Sequence, residues 1–297
     1  QAAASASGFG SANGTSFGLV VAQNKVSGKA DAHIDYGATY AGANTVHGGS
    51  GVSVLATDSA SITATISLDT SAASGTGSNP FGSASALGVS GAVSMNDVRG
   101  GATAFIDGAT VTAAGGSISV SALEEATLTA NLESAAATST SGGLFGGGSE
   151  TAVNALIATN VVQSAAKASI TDSSITNTNG GVSVDAHNTA TLEASALNAV
   201  TTGGTGVGVT LAFNTIGWKP QNILFNTVDA IIGDPAISSA FNGEVASGAS
   251  AFIHDSVVSA SGVVNVSATA GADISSTVKN QAAASASGFG SANGTSF

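Results

Sequence analysis

The sequence of 297 residues contains no cysteine, which excludes disulfide stapling and thiolate metal centres. It is short of positive charge: 6 Lys and Arg stand against 18 Asp and Glu, for a net charge of −12. Nucleic acid and anionic lipid both need cations to neutralise their phosphates, so neither is expected as a partner. Charged residues make up only 8% of the chain, against roughly 25% in an average soluble domain. Aromatics amount to 5% and proline to three residues. Bulky side chains are too few for the thick core of a globular enzyme. Long apolar runs are missing as well. The most apolar stretch, 206–218, is too short for a helical membrane span and carries Thr and Asn, so no direct membrane insertion is expected.

What fills the chain instead is Gly (40 residues) with Ala, Ser, Thr and Val, at a positive mean hydropathy of +0.34. That is too apolar for disorder, which pairs low hydrophobicity with high net charge. Residues 1–17 read QAAASASGFGSANGTSF, and residues 281–297 repeat them letter for letter, 280 positions later. The simplest reading is a tandem array with a 280-residue unit. On that reading the chain ends are boundaries inside a longer array, and copies of the same repeat are the expected end-to-end partners.

Four diverged modules lie inside the unit. Each has a segment running into an Asp: AHID, AFID, ASITD and AFIHD, around Ile34, Ile106, Ile170 and Ile253. These markers are 72, 64 and 83 residues apart, and 61 more lead to Ile34 of a following unit, which completes 280. Asn24, Asn96 and Asn160 each precede a marker by ten residues, whereas Asn214 precedes its marker by 39. The expected division is 1–66, 67–132, 133–197 and 198–280, the last with an insertion at about 215–250, and 281–297 as the start of the next repeat.

Each marker is followed by a glycine turn and alternating segments such as GVSVLA, SISVSA, GVSVDA and VVNVSA. Period-two alternation of branched residues with Ser, Thr or Asn is the pattern of a half-buried strand. The fold expected is all-β: a repetitive parallel β-solenoid, since units that cannot bury their faces alone must stack. With coils of about 20 residues, one unit would make about 14 rungs and on the order of 70 Å of fibre. Stacked β-sandwich modules with long antiparallel hairpins are the alternative.

Candidate sites are sparse. The insertion holds the lone Trp218 together with Ile223, Leu224, Phe225, Val228, Ile231 and Ile232. A short amphipathic helix is expected over 221–232, either covering a sheet edge or joining neighbouring solenoids laterally into fibres. A single Phe sits in each of three glycine loops, Phe9, Phe81 and Phe145, as a loop plug or an exposed contact. The four histidines, His33, His47, His187 and His254, have no metal-ligand spacing. Glu124, Glu125 and Glu133 read as a solvated sheet face. Asp35, Asp107, Asp172 and Asp255 recur at turns, where Asp bonds nearby backbone N–H groups; calcium is the functional alternative, and no cofactor is otherwise expected. No phosphate-binding loop, dinucleotide fingerprint or nucleophile elbow is present.

The segments AFIDGATVTAAGGSISVSALEEATLTANL (104–132) and ASITDSSITNTNGGVSVDAHNTATLEASAL (168–197) resemble the repeat regions of giant bacterial surface proteins of the filamentous-haemagglutinin and autotransporter-adhesin type. The resemblance is one of texture and covers the unit apart from its insertion. It implies a β-solenoid stalk or extracellular fibre at the cell surface. The secretion domain and adhesive tip of those families have no counterpart here. A non-catalytic structural fibre is therefore the expected function. An adhesin module contacting a surface or glycan is the second reading. A carbohydrate-active β-helix enzyme is the third, and it would need clustered carboxylates or basic residues in a cleft.

Overall fold

A computed structural model describes residues 1–37, 42–217, 247–285 and 293–296. The chain is wound into three parallel sheets. Sheet A holds β1 (Ala2–Ser7), β5 (Val52–Gly75), β8 (Ile118–Ser141), β11 (Val182–Thr202) and β15 (Val264–Ala284), in that spatial order. Sheet B holds β2 (Ser11–Ser27), β3 (Ala30–Asp35), β6 (Ser83–Asp107), β9 (Gly148–Thr171), β12 (Thr205–Ile216), β13 (Gly248–His254) and β16 (Asn293–Ser296). Sheet C is a narrow strip of β4 (Thr45–Gly48), β7 (Thr110–Ala113), β10 (Ser174–Asn177) and β14 (Val257–Ala260). One coil visits A, B and C in turn, and the next coil lies on top of it. The architecture is an all-β parallel β-solenoid.

Every pairing among the described residues is parallel, which removes the hairpin-sandwich alternative. The strands on either side of a glycine loop, such as β8 and β9, pair with other coils and lie in opposite sheets.

The expected coil size needs correction. Val52 lies opposite Ile118, Ile118 opposite Val182 and Val182 opposite Val264, so each coil is more than three times as long as expected. Four such coils make one 280-residue unit, about 19 Å of axis at the usual strand spacing, not 14 rungs and 70 Å. The physical reason is strand length. β5, β8 and β9 each run 24 residues. Neither β8 nor β11 contains a Gly or Pro, so nothing in them interrupts the alternation.

The two long sheets face one another, and their inner faces carry small residues with a few large ones set among them. Leu132 and Leu156 are buried with Ala92, Ala130, Ala158 and Ala194. Leu128 and Leu192 pack with Val98 and Val162. Each buried Leu contributes about 1.5–3 kcal/mol relative to an exposed one. At the broad end sheet C closes the wedge over Ile106, Val111, Ile118, Ile170 and Ile175. The turn into sheet C takes a left-handed residue, and two residue types fill that place: Gly108 (φ 61°), and Asp172 (φ 47°) and Asp255 (φ 46°). Asp is among the few side chains that tolerate this region.

Candidate interaction surfaces and interior polar columns

Stacking in register turns each sequence position into a column running along the fibre axis. The four marker isoleucines form one such column: Ile34 opposite Ile106, Ile106 opposite Ile170, Ile170 opposite Ile253. The four asparagines form another in sheet B, aimed into the interior. Asn24 Nδ2 donates to Asn96 Oδ1 at 3.0 Å, Asn96 Nδ2 to Asn160 Oδ1 at 2.9 Å, and Asn160 Nδ2 to Asn214 Oδ1 at 2.8 Å. The Nδ2 groups of Asn96, Asn160 and Asn214 also reach across to sheet A, bonding the carbonyls of Thr129, Glu193 and Ser275 at 3.1, 2.8 and 2.7 Å. A buried amide is costly unless its donors and acceptors are met. This ladder meets them and fixes both the coil-to-coil register and the A-to-B register.

A second polar set lies nearer the narrow edge. Asn154 Oδ1 accepts from Ser90 and Ser134, and Asn154 Nδ2 donates to Asn198 Oδ1 at 2.7 Å. At that edge Glu150 accepts from the Thr140 N–H at 2.7 Å and its hydroxyl at 2.8 Å, and from the Gly203 N–H.

The third polar column differs. Asp58, Glu124 and Asn188 are register partners in sheet A. Glu124 is fully buried, and neither of its carboxyl oxygens has a conventional donor. This corrects the expectation of a solvated face: Glu125 and Glu133 are exposed, but Glu124 shares the inward parity of Ala122 and Ala126. Opposite it Gly100 leaves room, since a Cβ there would sit 2.9 Å from Glu124 Oε1 and 2.8 Å from Asp58 Oδ2. Asp58 Oδ2 accepts from the Gly101 N–H at 2.9 Å. The Glu124 pKa is raised to about 7, chiefly by burial, then by the charge of Asp58 and a hydrogen bond shared with it, against a smaller opposing effect of Ser164. Two carboxyl groups can bond each other only when one carries a proton, and burial makes Glu124 the one that holds it more readily.

The calcium candidates do not share one column. Asp35 and Asp107 are opposite each other, but the next member of their column is Thr171, whose hydroxyl donates to Asp107 Oδ1. Asp172 and Asp255 take the following, left-handed position. Asp107 and Asp172 line an open recess of about 510 Å³ with Tyr36, Asn44 and Gly108. Among the described residues no three His, Asp or Glu gather closely enough to hold a metal ion. His33 instead stacks on Phe105 with ring centroids 4.9 Å apart.

The loop phenylalanines line one edge of the solenoid. Phe81 and Phe145 stack at 5.6 Å, yet Phe9, Phe81 and Phe145 remain 85%, 75% and 73% exposed. Leu144 beside them is exposed as well. The contact residues Trp218, Ile223, Leu224, Phe225, Val228, Ile231 and Ile232, and the helix expected there, lie outside the described residues. Among the described residues no helix is long and apolar enough to cross a membrane.

No protein-family model matches the chain, and neither a curated protein nor a solved structure matches it. The all-β, parallel and repetitive arrangement is that of a β-solenoid, and no homology ties the chain to a particular adhesin family.

Proposed function

We propose that this chain is a non-catalytic structural repeat of an extracellular or cell-surface fibre. The observation that carries the reading is the column structure. The same residues recur coil after coil in one register, so order runs along the axis rather than converging on a pocket. The acidic, cation-poor surface and the texture resemblance to bacterial surface repeats support an outside location. The carboxylates that are buried serve the interior, and the turn carboxylates are spread along the broad edge.

Electron microscopy of the native material tests this. A filament with about 19 Å of axis per 280-residue unit is expected from four strand spacings. Discrete globular particles would overturn the reading.

The exposed aromatic edge supports a second reading, an adhesive surface for glycans or other apolar-faced ligands. Aromatic side chains presented in a row suit the apolar faces of sugars. Replacing Phe81 and Phe145 by Ala should abolish retention on a glycan array without changing the fold. Unchanged retention, or none in the unaltered protein, would remove adhesion at this edge.

A further inference from the structure

The repeated 17-residue segment is used at both ends of the stack. At one end Ala2–Ser7 forms β1, with Ala2 opposite Thr70 of β5. At the other end residues 281–284 finish β15, with Ala282 opposite Val200 of β11. These two sites belong to one column: Ala2, Thr70, Ala136, Val200, Ala282. Its four steps return sheet A to the same sequence position one full repeat later, from Ala2 to Ala282. The start of a second copy is thus already seated on the fourth coil.

The edge of β5 is the second observation. Among the described residues β1 pairs with residues 70–75 of β5, and residues 52–69 have no strand on that flank. In β15 the same segment is preceded by residues 264–280, which belong to the same strand. We propose that the open edge of β5 along residues 52–68 is the seat for residues 264–280 of a preceding copy, which run on through Gln1 into β1 as one strand. The occupant is another copy of this 280-residue sequence joined in tandem, and the solenoid passes through the junction without a break.

The register of this seam follows from β1. Ala2 pairs with Thr70, and Ala282 is the same position one copy on, so each residue of the preceding copy falls opposite the residue 212 lower in number. Val264 then lies on Val52, Val266 on Val54, Ala268 on Ala56, Ala272 on Ala60, Ile274 on Ile62 and Val278 on Ile66. Like meets like at every large inward position. Val264, Val266, Ile274 and Val278 are each about half exposed in the single unit, although their parity is inward and the β11 partners of the first three, Val182, Val184 and Leu192, are buried. One flank is covered by β11 and the other awaits β5. No two carboxylates meet across the seam: Asp58 faces Ala270, Asp69 faces Gln1 and Asp273 faces Ser61.

In sheet B the four residues of β16 sit two positions along, Asn293 opposite Thr205 instead of Gly203. An even displacement keeps the same side chains inside. The continuous array requires the in-phase seat, where Asn24 of the following copy meets Asn214 and extends the ladder.

The inference rests on the tandem part of the proposed function. The fibre is tested on native material and the seam on a purified two-copy chain, residues 1–280 followed by 1–297, so either can fail alone. The absence of native cysteine makes disulfide mapping clean. Ser267→Cys in the first copy and Leu55→Cys in the second stand at adjacent outward positions of the seam, within disulfide reach. Ser267→Cys with Thr63→Cys places the thiols about 26 Å apart. Oxidation should close the first pair in most molecules and the second in almost none. Closure of neither pair, or of both equally, would overturn the seam. Hydrogen exchange on the chain without these substitutions adds an internal control. Amides of the odd-numbered residues 53–67, which point at this edge while the even-numbered ones donate to β8, should exchange at least tenfold more slowly in the second copy than in the first, whose edge stays open. Equal rates would also overturn it.

Discussion

Glu124 is the buried carboxyl group that lacks a conventional donor among the described residues, and it makes stability depend on pH. The folded state raises its pKa from 4.5 to about 7, so between those values the folded chain holds a proton that the unfolded chain has lost. Stability from this group is therefore intact below pH 4.5, falls as pH rises, and reaches its lower limit above pH 7, with a loss of at most about 3 kcal/mol. Glu124→Gln keeps the shape and cannot ionise. It should raise the melting temperature at pH 8 and leave it nearly unchanged at pH 4.5; an equal effect at both values would contradict the buried-proton account. A second residue-scale contrast concerns two left-handed glycines. Ala at Gly77 (φ 59°) meets open space and should cost about 1 kcal/mol, the price of the backbone region alone. Ala at Gly108 (φ 61°) brings a Cβ within 2.6 Å of the Tyr36 carbonyl and should cost about 3 kcal/mol in chemical denaturation.

At the scale of the element, the asparagine ladder does what a hydrophobic column cannot. Alternation fixes which face of a strand is inside, but a slip of two residues leaves that face unchanged. A side-chain amide on each coil, bonded to the coil above and to the facing sheet, penalises such a slip. Asn160→Ala leaves Asn214 Oδ1 without its donor and removes the bond to Glu193, and should cost about 2–4 kcal/mol. Adding Asn96→Ala should cost less than its separate effect, because the two share a bond. Strict additivity in a double-mutant cycle would show that the ladder is not one network. Much of this element scale was legible in the sequence. The Ile34 and Asn24 series, found by spacing alone, are register columns. Coil length was already present in those spacings, since successive members of a column are one coil apart, and the shorter coil came from typical coil sizes; what alternation did not show was which strands pair, because parallel and antiparallel partners impose the same pattern. Glu124 was misread for its type, although its parity with Ala122 and Ala126 marked it as inward.

At the scale of the whole molecule, the coil is the unit that can be added or removed. Between the second and third coils the sequence offset is the same in every sheet: Leu128 to Leu192 in sheet A, Asn96 to Asn160 in sheet B, Val111 to Ile175 in sheet C. Deleting residues 128–191 therefore joins Thr127 to Leu192, which occupies the column Leu128 has left. β12 then stacks on β6, and Asn214 meets Asn96 in place of Asn160. This chain should fold to a solenoid one coil shorter, with the same strand signature in circular dichroism and a cooperative melt. Deleting only 128–190 leaves one residue more and joins Thr127 to Thr191. Every following side chain of β11 is then turned over, sending Leu192, Ala194 and Ala196 to solvent and Glu193 and Ser195 inward. The two proteins differ by a single Thr and by almost nothing in composition. If both fold equally well, the columns do not govern the fold; if only the deletion of 128–191 folds, they do.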